Sequence, residues 1–527
     1  MIRRYFATKD NTITNAFEED LSTRGTGSNM GASDILEVFS IYGGASSASS
    51  ELSRVLIQFN TNDIIADRNA DKLAASGSVT WYLKMYDAPH SRTTPRDFKM
   101  EVLSVSREWE EGYGLDMETY KDLTKNNIGS NWLSASSTEG WTNVGGDTHS
   151  SLPAVQALET GFEDLTINVS DFVEQWIDGT RSNYGFLIKL SSSYEAQASS
   201  SLGFFDTGDN NESGSVIHNA TGSTDSYYTK RFFGRDSEFF FKKPVLEARW
   251  DDSKRDDRGN FYFSSSVAPA SDNMNTIYLY NYVRGRLRNI PSIGKNLIFV
   301  SLFSGSSDNS APYGDALRLS ISGGVASESG FQHAVTGGYV STGIYSASVA
   351  FTGSAQLDRV FDVWYSGSGP VTSAKTAALQ FHTGSITPKT FDSSDFTEDQ
   401  KYTLSMPSLR DQYRKSETPK LRLYVREKDW SPNIYNVATR NSIPSLLIES
   451  SSYQIKRAID DEIVIAYGTG SLYHTGLSYD LSGNYFKLDT GMLEEGYQYE
   501  ISYSFFDEDS NSYIEQPYKF KFRVSEE

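Results

Sequence analysis

Short runs in which apolar and polar residues alternate recur along the chain, and stretches rich in Gly, Ser, Asn and Asp separate them. In the segment KLRLYVREKDW, Leu421, Leu423 and Val425 alternate with Arg, Tyr and Arg. Residues 52–59 (LSRVLIQF) have the same period of two, with one face richer in apolar groups. Because successive side chains of a strand point to opposite faces, this period predicts half-buried β-strands joined by exposed turns. The predicted fold class is all-β.

The alternation continues into the middle of the chain. There the segment GGYVSTGIYSASVAFTG predicts two consecutive strands, with Tyr345, Ala347 and Val349 on one face. Residues 116–150 are polar and predict a long loop. Further strands are predicted in 34–42, 78–88, 99–114, NTIYLYNYVRGRLRNIP, NLIFVSLFSG, RVFDVWYSGSG, DEIVIAYG, NYFKLDTGML, YQYEISYSFFDED and YKFKFRV.

Residues 171–190 (DFVEQWIDGTRSNYGFLIKL) change period within twenty residues. Ser170 or Asp171 is expected to cap a short helical turn, and Gly179 to end it. The segment YGFLIKL then resumes strand spacing. The apolar residues at helical spacing are Phe172, Val173, Trp176 and Ile177.

This stretch resembles the hallmark of the DNRLRE-type domain, a β-sandwich module of surface and virion proteins. The family pattern is V-T-D-x-V-x-x-W-x-x-G-x-x-N-x-G, and Ser170 stands where Thr is usual. The matching positions are Val169, Asp171, Val173, Trp176, Gly179, Asn183 and Gly185.

Other segments agree with the family in the right order. SNMGASDILEVF and SRVLIQFN resemble its opening strands, SREWEEGYG its W-x-E loop, and FFGRDSEFFFKKPVLEARW its closing strand, so the resemblance covers residues 1–251. It implies a jelly-roll-like sandwich related to carbohydrate-binding modules, and it implies no catalysis. The turn is then architectural: Asn183 and Gly185 tolerate positive φ, Gly179 ends the helix, and Trp176 closes one end of the sandwich.

With 527 residues the chain is too long for one core, and about three domains are expected. The charged, turn-rich run DDSKRDDRGN, residues 251–260, predicts a boundary directly after the DNRLRE-like segment. We predict a jelly-roll-like sandwich in 1–251, an immunoglobulin-like sandwich in 252–395 and a third β-sandwich in 396–527.

Composition narrows the classes of function. The formal net charge of −20 disfavours nucleic acid and anionic membranes as partners. The absence of cysteine excludes disulfides, thiolate metal sites and a cysteine nucleophile. The N-terminal residues have no apolar segment of a secretory signal, and no window has the length of a membrane span. Either the mature chain was trimmed, or the protein is made and assembled in the cytosol.

Candidate chemistry is sparse in the sequence. The six histidines are scattered without metal-ligand spacing, and no nucleophile elbow or phosphate-binding loop occurs. Glu110 and Glu111 beside Trp109 could form a glycosidase acid and base, although a solvated loop is the simpler interpretation. Calcium is a second candidate because oxygen ligands recur at loop-like spacing near the C-terminus, but the EF-hand glycine is missing. The calcium candidates are Asp507, Asp509 and Asn511.

Three functions remain as hypotheses. The first is a structural protein of a tailed-phage virion, assembled in the host cytoplasm as an accessory element of tail, baseplate or neck, in a symmetric homo-oligomer among other virion proteins. The terminal segment YQYEISYSFFDEDSNSYIEQPYKFKFRV resembles structural proteins of marine myophages. The second is an extracellular carbohydrate-binding or adhesion protein that binds a host glycan through Trp109, Trp132 or Trp141. The third is a glycan depolymerase.

The first hypothesis also predicts a role for charge. The last strand alternates Tyr518, Phe520 and Phe522 with basic residues, so it has a row of basic side chains on one face. If this face meets an acidic neighbour, assembly is expected to weaken at high salt.

Overall fold

In a computed structural model the chain is nearly all β, which confirms the all-β class and a multi-domain β-sandwich architecture. It forms two compact units, unit 1 from Met1–Asp251 and unit 2 from Asp252–Gly470 with Thr475–Glu527. The predicted boundary after residue 251 falls at this division. The division of the remainder at 395 stays a prediction. The structure describes residues 1–21, 23–43, 50–90, 94–115, 128–198, 216–264, 267–319, 333–351, 357–366, 379–389, 401–431, 445–468, 474–508 and 510–526.

Unit 1 contains ten strands and two short helices among its described residues. The helices are α1 (Thr61–Asn69) and α2 (Ser170–Ile177). The strands are β1 (Ile2–Thr14), β2 (Ile35–Ile41), β3 (Glu51–Phe59), β4 (Thr80–Met85), β5 (Phe98–Ser104), β6 (Ala154–Leu158), β7 (Leu165–Asn168), β8 (Phe186–Leu190), β9 (Tyr227–Phe233) and β10 (Val245–Arg249).

The strands follow the order β6-β5-β8-β3-β1-β10-β4-β7, with β2 paired to β3 and β9. Strand β1 joins two halves of this sheet, because residues 2–6 pair with β10 and residues 7–14 pair with β3. The register shifts between Ala7 and Lys9, where the strand passes from one partner to the other. The Gln156 side chain links the two end strands: its Nε2 donates to Asp164 O at 2.9 Å, and its Oε1 accepts from Thr166 N at 2.7 Å. The sheet is therefore barrel-like.

Two separate cores flank the central strands β3 and β8. Val55, Ile57 and Phe186 belong to the main core inside the barrel-like sheet. On the opposite face, Leu56 and Leu187 pack in a second core beneath the loop 128–147. Because both faces are covered, these strands are buried almost throughout rather than on one side.

Strand β1 is the longest strand among the described residues. Its sequence does not alternate apolar with polar residues in a way that predicts a strand. Its second half buries polar residues, including Asp10, Asn11, Thr12 and Thr14. Asn11 Nδ2 donates to Ser130 O at 2.9 Å, and Thr14 Oγ1 donates to Leu52 O at 2.9 Å. Hydrogen bonds such as these offset the cost of burying polar side chains. Because the buried residues are polar, a search for apolar periodicity does not detect this strand.

The first half of unit 2 is built mainly on one seven-stranded sheet with the order β11-β17-β16-β14-β18-β19, to which β15 adds by pairing with β14. Tyr345, Ala347 and Val349 are buried on one face of β17, as predicted. Strands β12 and β13 form a hairpin of their own. The strands are β11 (Asn275–Tyr280), β12 (Tyr282–Val283), β13 (Arg286–Leu287), β14 (Ile298–Gly305), β15 (Pro312–Tyr313), β16 (Val335–Ser341), β17 (Ile344–Val349), β18 (Val360–Ser366) and β19 (Leu379–Ile386).

The rest of unit 2 has a four-stranded sheet, β20-β22-β26-β25, and a six-stranded sheet, β21-β29-β27-β23-β24, in which β28 pairs with β27. Leu421, Leu423 and Val425 point into the core, which confirms the alternation read from the sequence. The strands are β20 (Tyr402–Ser405), β21 (Gln412–Arg414), β22 (Lys420–Glu427), β23 (Ser451–Arg457), β24 (Ile463–Ile465), β25 (Ser478–Asp480), β26 (Gly483–Lys487), β27 (Gln498–Asp507), β28 (Ser512–Glu515) and β29 (Phe520–Ser525).

Both α-helices of the described chain lie in unit 1, and neither exceeds nine residues. Across the residues that the structure describes, no helix is long and apolar enough to cross a membrane.

Candidate functional site

The turn that carries the DNRLRE-like pattern begins with α2, and its cap differs from the prediction. Neither Ser170 nor Asp171 is the N-cap; Val169 holds that position without a side-chain bond. The Ser170 hydroxyl instead accepts the backbone N–H of Trp81 at 2.8 Å, while Asn168 Oδ1 accepts the Ser170 N–H at 3.0 Å. Asp171 is exposed in the first helical turn, where its negative charge suits the helix dipole.

After α2 the chain is fixed against strand β3. Asn183 Nδ2 donates to Phe59 O at 2.6 Å, and Asn183 Oδ1 accepts from Gly185 N at 3.0 Å. Gly185 has a φ of +85°, and a Cβ there would lie 2.1 Å from Ile57 O. Gly179 has a φ of +80° and ends the helix with nothing within 4 Å of a Cβ. Positive φ is thus found at the two glycines and not at Asn183, whose role is hydrogen bonding.

Trp176 packs inside the sandwich. Its ring centroid lies 4.6 Å from that of Phe186, the first residue of β8. On the same helix, Glu174 accepts two hydrogen bonds from Arg68 of α1 and one from Trp81 Nε1 at 2.8 Å. The turn therefore joins α1, α2 and β4 into one rigid end of unit 1.

The three tryptophans expected to contact a glycan are buried, contrary to that expectation. Trp109, Trp132 and Trp141 are 2%, 0% and 7% exposed, and all three belong to the second core. Trp109 Nε1 donates to Tyr184 O at 2.8 Å, and Trp141 Nε1 donates to Asn131 O at 2.8 Å. A sugar stacks on an exposed ring face, so these indoles pack the loop onto the sheet instead.

A buried ion pair lies against Trp132. The guanidinium of Arg54 on β3 donates two hydrogen bonds of 3.0 Å to Glu195 and one of 3.0 Å to Gly145 O. The same guanidinium carbon lies 5.4 Å from the centre of a Trp132 ring. The carboxylate of Glu195 therefore neutralises the charge of Arg54 inside the second core.

The acidic pair beside Trp109 binds the backbone. Glu110 Oε2 accepts from Gly129 N and Ser137 N, each at 3.2 Å. Glu111 Oε1 accepts from Asp10 N at 2.8 Å and from Arg235 Nε at 3.1 Å. Glu110 thus binds backbone amides of the loop 128–147, and Glu111 binds β1 and Arg235.

Asp10 is the most perturbed carboxyl of this cluster. Burial, with a smaller contribution from the charge of Glu111, raises the pKa of Asp10 to about 7. Burial also raises the pKa of Glu111. Asp10 Oδ2 accepts the backbone N–H of Arg235 at 2.5 Å, and its side chain is not accessible to a substrate from solvent. Asp10 is therefore closed to solvent, whereas Glu110 and Glu111 are half-buried.

Two of the three predicted calcium ligands, Asp507 and Asn511, lie among the described residues. Asp507 pairs with Lys401 Nζ at 2.9 Å and accepts from Ser510 N at 3.0 Å. Asn511 takes a positive φ of 48° in the turn between β27 and β28. Asp509 lies outside the described residues. Within the described ranges no group of three or more His, Asp or Glu side chains is arranged to hold a metal ion.

Unit 2 contains a second charged cluster, where the segment after residue 251 meets the four-stranded sheet. Lys254 N donates to Ser478 Oγ at 2.7 Å, and Tyr479 Oη donates to Asp257 at 3.0 Å. Further along the segment, Arg258 forms a buried ion pair with Asp362 of β18. The charged run that predicted a domain boundary is thus an ordered link between the sheets of unit 2.

Basic groups accumulate beside this link. Lys420 and Lys487 lie directly opposite each other on β22 and β26. Burial and the neighbouring charges of Arg422, Lys487 and Lys254 lower the pKa of Lys420 to about 8. Arg422 is held by two hydrogen bonds, of 2.8 and 2.7 Å, to Asp480. The sequence does not predict this basic surface, because its residues come from separate segments of the chain.

Comparisons with known proteins do not place the chain in a family. No family model matches it, and no curated protein matches it. Among solved structures, trypsin-activated alpha-2-macroglobulin from Escherichia coli shows a likeness with 7% sequence identity and a TM-score of 0.13. The likeness covers 90% of this chain and 29% of that one, so this chain spans well under a third of that protein. A TM-score this low carries no argument.

Proposed function

We propose that this chain is a non-enzymatic structural protein of a tailed-phage particle, an accessory part of the tail, baseplate or neck that acts by binding neighbouring virion proteins. The observation that carries the proposal is that the candidate chemical groups make contacts within the protein. Glu110 and Glu111 hold backbone amides, and Trp109, Trp132 and Trp141 are buried. The groups that an enzyme or a lectin would present to a ligand instead stabilise the β-sandwich.

The DNRLRE-like pattern supports the same proposal. Its residues fix a turn against β3 through Asn183 and Gly185, as an architectural element would. Assembly takes place in the host cytoplasm in this account, and the mature location is the virion. The alternative of glycan recognition no longer has the indole rings on which it depended.

Immunogold electron microscopy of intact particles tests the proposal. Antibodies raised against the purified chain should label one defined site on the tail, baseplate or neck of phage particles propagated from a genome that encodes it. Antibodies absorbed with the purified chain provide the control and should give no label. Particles that are intact, infectious and unlabelled, with no signal after mild disruption, would contradict the proposal.

A further inference from the structure

A short hairpin in unit 2 stands apart from its sheets. Strands β12 and β13 pair only with each other among the described strands. The connecting residues Arg284 and Gly285 have φ values of +51° and +75°, as a type I′ turn requires. A two-stranded ribbon is marginally stable in water by itself, so this hairpin needs support at its base or from a partner.

The base of the hairpin is fixed in place. Asn281 N donates to Gly343 O at 2.8 Å, and Asn281 Nδ2 donates to Arg288 O at 2.6 Å. Gly343 N donates to Asn289 Oδ1 at 2.7 Å. A Cβ at Gly343 would lie 2.6 Å from Arg288 N, so only glycine allows the β16–β17 turn to approach so closely. The hairpin is held in one position before any partner binds, which lowers the entropic cost of binding.

The tip of the hairpin is exposed, apolar and basic. Tyr282 and Val283 are 52% and 51% exposed. Arg284, Arg286 and Arg288 are also exposed. Aromatic residues and arginine are the types enriched in the binding centres of protein interfaces.

The hairpin borders the basic surface of the four-stranded sheet. Lys420 Nζ on β22 lies 5.9 Å from the ring centre of Tyr280, the last residue of β11, which comes two residues before Tyr282 of the hairpin. Strand β22 places Lys420 on the same face as Arg422, and Lys487 is directly opposite Lys420. Asp480 pairs with Arg422 and lies 3.7 Å from Lys420 Nζ, so it neutralises part of this charge. We call this surface the basic face and define it by Arg284, Arg286, Arg288, Lys420 and Lys487.

We propose that the basic face is a docking surface for an acidic region of a second copy of this chain. The partner is argued from charge: the chain carries a net charge of −20, and residues 1–251 contribute 36 acidic against 22 basic side chains. A basic surface repels its own copy, so the contact is heterologous, with different surfaces from the two copies. Heterologous contacts generate a closed ring or an open filament. This proposal rests on the proposed function, for which it names the partner.

Sedimentation velocity of the full chain at low and high salt is the test. At low ionic strength the chain should associate, and raising the salt to about 0.5 M should weaken association because the Debye length falls to a few ångströms. The variant Arg284→Glu/Arg286→Glu/Arg288→Glu should lose about tenfold or more in association constant. Circular dichroism checks that this variant is folded.

The matched control reverses three exposed basic residues elsewhere in unit 2: Arg359→Glu/Arg414→Glu/Lys428→Glu. It changes the net charge by the same amount, and its association should stay within about twofold of the parent if location rather than total charge matters. Equal losses in the two variants would overturn the proposal.

Cross-linking identifies the occupant. A mixture of isotopically light and heavy chains, treated with a carbodiimide, should give mixed-isotope links from Lys487 or Lys420 to an Asp or Glu of the other copy. A chain that is monomeric at low salt, or that stays monomeric while binding a soluble polyanion such as heparin, would overturn the assignment. Gold-labelled particles together with a monomeric chain would contradict this inference alone, and an associating chain without labelled particles would contradict only the virion function.

Discussion

At the scale of single residues, the turn after α2 requires glycine at position 185, because there is no room for a Cβ atom there. Gly185 combines a positive φ with a carbonyl, Ile57 O, at 2.1 Å from where a Cβ would be. We predict that Gly185→Ala destabilises unit 1 by about 2 kcal/mol or more, from backbone strain and overpacking together. Chemical denaturation followed by tryptophan fluorescence measures this.

Gly179 offers a control for Gly185. Its φ of +80° is nearly the same, but no atom lies within 4 Å of its Cβ position. Gly179→Ala should therefore cost only about 1 kcal/mol, the conformational part alone. Equal losses for the two variants would show that contact with Ile57 O is not what fixes the turn.

Asp10 makes the stability of unit 1 depend on pH. Because burial raises its pKa from 3.8 to about 7, the folded chain retains a proton that the unfolded chain has released between these values. This contribution to stability is full below pH 3.8 and is lost as the pH rises through about 7. The free energy of unfolding of unit 1 should therefore fall between about pH 4 and about pH 7 and level off above that.

Asp10→Asn removes the titrating group and keeps a carbonyl oxygen to accept the Arg235 N–H. The decline with pH should become shallower in this variant, with the remainder due to Glu111, whose pKa is also raised by burial. Denaturant titrations at several pH values give the slopes. A parent and a variant with the same slope would show that Asp10 does not titrate in this range.

At the scale of elements, the loop 128–147 is a structural part of unit 1. We predict that Trp132→Ala costs about 3–5 kcal/mol, since it removes a fully buried indole from the second core. Leu152→Ala, at a position that is 90% exposed, is the control and should be close to neutral. A Trp132→Ala protein with unchanged stability would contradict the second core.

Strands with a simple apolar alternation, such as β22 and β17, could be predicted from the sequence. Strand β1 could not, because Asp10, Asn11 and Thr14 are buried with polar partners that come from distant segments. The burial of Trp132 and Trp141, in the loop after residue 127, could not be predicted either. Burial of an indole depends on which sheet face lies beneath it, and local composition does not contain that information.

The turn after α2 could be predicted as a unit, because its apolar residues change from helical to strand spacing within twenty residues. The individual roles of its residues needed coordinates: Asn183 bonds Phe59 O instead of taking positive φ, and Ser170 bonds Trp81 instead of capping its helix. The basic face could not be predicted from the sequence, because it combines a hairpin with two strands that follow it about 130 and about 200 residues later in the chain.

At the scale of the whole molecule, charge is distributed unevenly. Residues 1–251 hold most of the acidic excess, whereas the basic face gathers on unit 2. In unit 2 the C-terminal basic strand is only partly neutralised within its own sheet, where Lys521 pairs with Glu500 at 2.8 Å. A chain with this distribution can associate head to tail through electrostatic complementarity, which sets orientation more than affinity.

In the proposed function the chain is a building block of a particle and not a catalyst. Quantitative mass spectrometry of gradient-purified virions, with an isotope-labelled copy of the chain as the internal standard, tests it most directly. A structural role predicts a fixed number of copies per particle that is the same in independent preparations. Amounts that vary between preparations, or that fall to background after purification, would contradict it.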